Sequence, residues 1–570
     1  MLKNLLLLLT ILTYTSLSAQ IWDGGGDGTS WDDAANWSTD TIPEVGATAT
    51  FPDGITANVT GSAPNAIRRI IFDTLSTVTL DSDLDFEITG NPVHAINLQK
   101  DANVTFGGTT DMRTFNITSG IGRNAFNLSG EGITVTVTEQ TSLSISNICE
   151  NAIRINKADG LFVNNGTINL VDYVEHGINL LKGTFTNNGT IDIGTGTVDG
   201  DPTSDGIRIA SDGIFDNNAN GVITITQALD DGLEVLGVFN NAGTISTVSN
   251  DDALANNGGL VVGSANSAGV MNNLAGGIIN ADGGIGGTAR AFSIQGSGML
   301  NNAGAINVSG GNMGQAFQNL GTLTNEICAR INLIECRISN NFQGTIINNG
   351  LLTSSWTAAG INHGATDGFA INNAFYGYTN QNSDFAGGNE EDIDNGQKTG
   401  DGIVVDATNS CTIADIGIDA SYTWYTDLAG TIEAGTNDAN GLLTFNEDAF
   451  PISGTQTLYT CFGEDVQLVA ENVLGNCTTV VGVNFVQLTD VFELIPNPAQ
   501  AYTQIKFGNK YIGQEKTIEI YNAIGQLVQT ANLNGAENYT LQTDNLATGI
   551  YTVNLQTEKG MQVERLIIQK

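Results

Sequence analysis

Between roughly Phe51 and Asn389 the chain repeats two short patterns of apolar and polar positions. The first is an apolar residue, any residue, Asn, a short spacer, Gly, any residue, then Ile or Leu. It occurs at Phe162-Val-Asn164-Asn-Gly166-Thr-Ile168, and again starting at Phe185, Phe239, Leu300 and Phe317, with longer spacers after Phe215 and Met271. The second is a polar residue, Gly or Ala, then apolar, polar, apolar, as in His176-Gly-Ile178-Asn-Leu180. It returns every 25–30 residues, at His94, Asn124, Asn151, His176, Asp205 and Asp231.

Alternation such as Thr190-Ile191-Asp192-Ile193 predicts strands with one face buried and one wet. Two strand patterns in each step of this length predict a solenoid, whose coils stack apolar residue above apolar residue at a spacing of ~4.8 Å. Asn and Gly suit the corners, because both tolerate a left-handed backbone, and stacked Asn side chains can share amide hydrogen bonds. Separate β-sandwiches would need a period nearer ~100 residues, and propeller blades would need four strands each. This repeat resembles the parallel β-helix of bacterial surface proteins and of many polysaccharide-active enzymes. The expected fold class is all-β: a right-handed parallel β-helix over 52–390, then an immunoglobulin-like β-sandwich and a small C-terminal β-sandwich.

An open solenoid exposes strand edges at its ends. The segment from Trp22 to Trp37, with Trp31 between them, resembles the opening segment ahead of β-helices in secreted bacterial proteins, and residues 20–51 are expected to cap the first coil. The sharper alternative is that the three indoles form a sugar-stacking platform. Residues 391–403 are expected to be a linker. Over 404–490, Tyr422-Thr-Trp424-Tyr425 between Cys411 and Cys477 resembles an immunoglobulin-like module.

The last eighty residues carry Phe492-Glu-Leu-Ile-Pro496-Asn497-Pro498, then Ile518 through Gly525 to Val528, then Leu546-Ala-Thr-Gly549-Ile-Tyr551. These motifs, in this order, resemble the C-terminal sorting domain of the type IX secretion system of Bacteroidetes-type bacteria. The resemblance implies that 491–570 is a sorting domain, with Pro496, Asn497, Pro498, Gly525, Gly549 and Tyr551 as its signal residues and the type IX machinery as partner. At the other end, Lys3, the apolar run Leu5 to Leu12 and the small residues before Gln20 predict a signal peptide over 1–19, too short to anchor in a membrane.

The net charge of -40 argues against binding nucleic acid or inserting directly into membranes. The 70 glycines and few charged residues do not describe a helical enzyme. Six cysteines in an exported chain allow disulfides. Cys328 with Cys336 is one expected pair, and a second is expected among Cys411, Cys461 and Cys477.

Candidate chemistry concentrates in Asp199-Gly-Asp201-Pro-Thr-Ser-Asp205, with Asp230 and Asp231 one repeat later. In register Asp205 and Asp231 would lie roughly 5 Å apart. They read as ordinary Asp-Gly turns, as a calcium site, or as paired carboxylates for glycoside hydrolysis; calcium is the one cofactor they admit. Arg154 and Arg208 face outward in the strand pattern. The three histidines are too scattered for a metal triad or a general base, and no G-x-S-x-G, H-E-x-x-H or P-loop sequence occurs. The leading functional expectation is therefore a secreted or surface-attached, adhesin-like binding protein that contacts glycans or another surface without turnover. A polysaccharide lyase or glycoside hydrolase on the same scaffold and a purely structural coat protein are the alternatives.

Overall fold

The computed structural model describes residues 19–570 except 62–66, 89–93, 109, 120–122, 149, 195–203, 227–229, 249–257, 284–289, 311–315, 342, 358–359, 364–367, 379–392, 395–396, 400–402, 407–417, 419, 446–454, 472–491, 508–514, 523–525 and 558–559. No α-helix occurs among the described residues.

The repeats fold into a parallel β-solenoid of about 12 turns. One coil is His94–Leu98, Asn103–Phe106 and Arg113–Ser119, and each strand pairs in parallel with its counterpart one coil on. The first strands of successive coils form one side, here the first sheet, and the second and third strands form two more. Ile96, Phe126, Ile153, Ile178, Ile207 and Leu233 lie directly over one another in the first sheet. In His176–Asn187 the first and second sides share one continuous strand. Its bend is made at Gly183, where φ is +83 and a Cβ would lie 2.4 Å from the Lys157 carbonyl. Only glycine meets both demands.

The core is built in columns. Phe162, Phe185, Phe215 and Phe239 stack with centroids 5.0, 4.7 and 5.1 Å apart, close to the separation of paired strands. Beside them runs a ladder of asparagines at the corner between the second and third sides. From Asn164 through Asn187, Asn217, Asn241, Asn273, Asn302, Asn325 and Asn348 to Asn372, each Nδ2 donates to the next Oδ1 at 2.7–2.8 Å. A buried amide is costly unless paired, and only an in-register stack pairs all of these. The copy at Phe317 departs from the expected phase. Phe317 and Asn319 lie in the first sheet over Phe292 and Ile294, and Asn319 opens a separate ladder to Asn340 and His363. The same Asn and Gly chemistry thus serves two different corners.

At the N-terminal end Trp22, Trp31 and Trp37 are only 1%, 0% and 0% exposed. Their rings meet edge to face at 5.1 and 4.9 Å, and Phe51 carries the stack onward to Phe72 at 5.2 Å. Indoles sealed against the first coil cannot stack on a sugar, so the platform alternative is overturned and the tryptophans close the core. At the other end Ile393–Asp394 and Gln397–Thr399 pair in parallel with the preceding coil, so the solenoid runs on into the segment expected as a linker.

The expected Cys328–Cys336 disulfide is absent. Cys336 is a buried free thiol, whereas Cys328 is disulfide-bonded. The strand Arg330–Ile334 lies between them and holds them roughly 15 Å or more apart, beyond the ~7 Å Cα separation a disulfide spans. Cys461 is also disulfide-bonded; Cys411 and Cys477 lie outside the described residues.

Most of a second compact unit is Tyr422–Lys570. Tyr422–Tyr425, Glu433–Asn437, Leu443–Phe445, Thr455–Thr460 and Gly463–Glu471 pair antiparallel within a six-stranded sheet. Its Trp424 is buried and donates Nε1–H to Asn437 Oδ1 at 2.9 Å. A facing second sheet is not among the described residues of 404–490. The C-terminal residues form a small sandwich of a three-stranded and a four-stranded sheet, closed by Ile505, Ile520, Leu541, Val553 and Leu566.

Replacing Asn241 by Ala removes the bonds to Asn217 and Asn273 and is expected to cost about 2–4 kcal/mol in urea unfolding. Asn240→Ala, on the wetter outer face where water can replace its bonds to Asp216 and Asn272, is expected to cost less than about 1 kcal/mol. Equal costs would contradict the role given to the inner ladder.

Candidate functional site

The outward column of the first sheet runs Asn97, Asn127, Arg154, Asn179, Arg208, Glu234, Val261, Ser293 and Gln318. Strand alternation turns these side chains away from the core, yet Asn127, Asn179 and Gln318 are only 4%, 6% and 8% exposed. The face is therefore a recess with a polar floor. It spans roughly 40 Å along the solenoid axis.

Two clefts open into it. The first, of ≈ 300 Å³, is lined by His94, Arg123, Asn124, Glu150, Asn151, Arg154, Glu175, Asn179 and Leu181. Arg123 Nε lies 3.2 Å from Glu150 Oε1, and Asn151 Nδ2 donates to Glu175 Oε2 at 3.1 Å. Asn179 Nδ2 donates to Asn151 Oδ1 at 2.9 Å, while its own Oδ1 is buried without a hydrogen-bond partner among the described residues. Arg154 reaches Asn127 Oδ1 at 3.4 Å. The second cleft, of ≈ 350 Å³, includes Asp231, Glu234, Arg290, Gln295 and Gln318, and Arg290 Nη1 donates to Gln318 Oε1. Between them Arg208 Nε and Glu234 Oε2 form an ion pair at 2.8 Å.

The electrostatics follow from burial. Loss of water, then the guanidiniums of Arg69, Arg154 and Arg123, hold the His94 imidazole down at about 4. Its Nδ1 faces Asn124 Nδ2 at 3.0 Å; an amide nitrogen only donates, so Nδ1 accepts and the ring is neutral. Burial, then the charge of Glu175, raises the Glu150 carboxyl.

Of the acidic turn residues, Asp199 and Asp201 lie outside the described residues. Asp205, Asp230 and Asp231 come together, with carboxylate oxygens within 4.8 Å of one another. Asp205 Oδ2 lies 3.3 Å from His176 Nδ1. Burial first, then Glu234 and Asp230, pushes the Asp205 carboxyl well above its ordinary range, and burial with Asp205 does the same to Asp231. Arg154 and Arg208 face outward as expected but are drawn into the recess. Arg123, Glu150 and Glu175 escaped the repeat pattern because each sits one position before the corner residue that the pattern marks. Aligning that preceding position would have found them.

In the C-terminal sandwich several of the residues expected to carry the sorting signal make structural ties. Asn497 Nδ2 donates to Arg565 O at 2.5 Å, and Asn497 Oδ1 accepts from Ile567 N at 2.8 Å. The Pro496 carbonyl accepts from Thr503 Oγ1 at 2.9 Å. Pro498 leads into Ala499, whose N–H joins Ile567 O at 2.7 Å. Gly549 begins the strand Gly549–Thr557, in which Tyr551 donates its hydroxyl to Ala547 O at 3.0 Å. Gly525 lies outside the described residues.

His94 is neutral in the fold but free to protonate once unfolded. Its contribution to stability is therefore full above pH 6.5 and is lost as pH falls toward about 4. His94→Asn, which places the residue of Asn124 and Asn151 at the same corner, is expected to remove that part of the acid loss in denaturant titrations across this window. An unchanged acid limb would contradict the assignment.

A comparison with curated proteins finds no match, and a comparison with solved structures finds none either. Residues 493–569 match the secretion system C-terminal sorting domain, over the same sandwich that Asn497 and Tyr551 hold together, and the chain is thus a β-helical cargo of the type IX secretion machinery, destined for the cell surface or the medium.

Proposed function

We propose that the exported protein is an adhesin-like binding protein that holds an extended, hydroxyl-rich chain, a glycan of another surface or of the matrix, along the recess of the first sheet. The observation that carries this reading is the recess itself: a floor of mainly Asn, Gln, Arg and acidic side chains over many coils, interrupted by Val261 and Ser293 and opening into two clefts. Amide, guanidinium and carboxylate groups together offer donors and acceptors to hydroxyls, and length suits a polymer over a small molecule. On this reading the signal peptide over 1–19 carries the chain across the inner membrane, and the sheet within 404–490, an immunoglobulin-like module, spaces the solenoid from the cell.

A second reading has one observation in its favour. Glu150 and Glu175 occupy neighbouring coils just before the first-sheet corner, with Glu175 N donating to Glu150 O at 3.1 Å, and stacking at one strand spacing would allow their carboxyls to come roughly 5 Å apart, the separation used by retaining glycosidases. A panel of purified glycans separates the readings. Binding without product supports the adhesin-like role, release of reducing ends supports the hydrolase, and failure to bind any glycan leaves a coat protein and overturns both. Where a glycan binds, Arg154→Ala and Asn179→Ala are expected to weaken it by about 10–100-fold; unchanged affinity would move the ligand off this recess.

Truncation after Val491 is expected to retain the protein within the cell envelope, read by immunoblot of cells against medium. Normal appearance of the truncated chain outside the cell would contradict the role of the sorting domain.

A further inference from the structure

At the corner where each coil enters the first sheet, one construction repeats. A side-chain oxygen on one coil accepts the backbone N–H of the matching residue on the next. Asn124 Oδ1 accepts from Asn151 N at 3.2 Å, Asp205 Oδ1 from Asp231 N at 3.2 Å, and Asp231 Oδ1 from Gly258 N at 2.8 Å. The asparagine pair adds a second bond, Asn151 Nδ2 to Asn124 Oδ1 at 2.9 Å. An ionised aspartate has no hydrogen to give. At Asp205 and Asp231 carboxyl groups stand where the asparagines carry amides, so the second link needs a shared proton or a cation, at positions only 4% and 9% exposed.

Three further features converge there. Asp230 adds a third carboxylate, and oxygens from all three aspartates fall within 4.8 Å of one another, the spread of ligand atoms that surround one ion at ~2.3–2.6 Å. Ser204 adjoins the group: it precedes Asp205 in the chain, its carbonyl accepts the Asp230 N–H at 3.0 Å, and its hydroxyl is fully buried with no hydrogen-bond partner among the described residues. The Tyr173 hydroxyl, also buried and unpartnered there, lies near enough to Asp205 to feel its charge. The neighbouring cation Arg208 is engaged with Glu234, and His176 meets Asp205 through a single ring nitrogen.

We infer that Asp205, Asp230 and Asp231, with Ser204 beside them, bind a hard divalent cation of calcium's size, which takes the place of the amide hydrogens in the corner ladder and cross-links two coils. An all-oxygen donor set selects calcium over zinc or copper. The inference does not depend on the glycan reading, although the ion would place positive charge beside the second cleft, which Asp231 lines.

The test uses the full exported chain, stripped with a chelator and titrated with calcium chloride while melting temperature and binding heat are followed. Saturable binding is expected, with a rise of a few degrees in melting temperature that the chelator reverses. The variant Asp205→Asn with Asp231→Asn is expected to fold, since Asn124 and Asn151 already occupy this corner, and to lose the calcium-dependent rise. Asp230→Asn, closer to the rim, is expected to weaken calcium about tenfold while leaving the chelated melting temperature unchanged. No saturable binding by the parent chain, or the same calcium response in the double variant, would overturn the inference, the latter by moving the ion to one of the many other acidic groups.

Discussion

The structure depends on one constraint: a side-chain amide buried at a corner must find its partner one strand spacing away. A coil that slipped by one residue would turn its isoleucines to water and its polar residues inward, and would leave every buried amide of the Asn164 to Asn372 ladder unpaired. Hydrophobic burial alone favours many compact arrangements of such a sequence. The ladder, with the stacked rings of Phe162, Phe185, Phe215 and Phe239, selects the one in which like lies over like.

Register also makes the recessed face of the first sheet. Because each outward position of the first sheet lies over its counterpart, a substitution in one repeat changes one rung of a continuous surface and leaves the scaffold untouched. Asn127, Arg154, Asn179, Arg208 and Glu234 are successive rungs of the same column, and the chemistry changes from amide to guanidinium to carboxylate while the backbone repeats. Glycines such as Gly183 hold the corners close, so the rungs stay evenly spaced. The sorting domain carries its own core and its own ties through Asn497.

Much of this was legible in the sequence, for a physical reason. Strand alternation and corner chemistry are local, so the repeat, the inward isoleucines, the asparagine stacking and the stacking of Asp205 with Asp231 could be read from spacing. The tryptophan segment could be read as a cap because an open solenoid needs one. What could not be read was set by neighbours in space. The motif at Phe317 has the composition of its relatives, but its place in the coil depends on chain length upstream. The outward residues of the first sheet were expected to face water, and their burial comes from surroundings that the strand pattern does not encode. Cys328 and Cys336 are close along the chain but sit at opposite ends of one strand. Glu150 and Glu175 gain meaning only because stacking brings them into one cleft.

The central claim, in-register stacking of the coils, is tested most directly by cysteine cross-linking on the outer face of the third side. Thr224 and Ser246 are partners on adjacent coils, and Ser246 is in turn the partner of Asn280. Neighbouring parallel strands bring such partners within the Cα distance a disulfide spans, whereas residues two coils apart, at roughly 10 Å, lie beyond it. A variant carrying Thr224→Cys and Ser246→Cys is predicted to form the cross-link on mild oxidation, mapped by peptide mass spectrometry, and one carrying Thr224→Cys and Asn280→Cys is predicted not to. Cross-linking of the second pair without the first would contradict the stacked register on which the account rests.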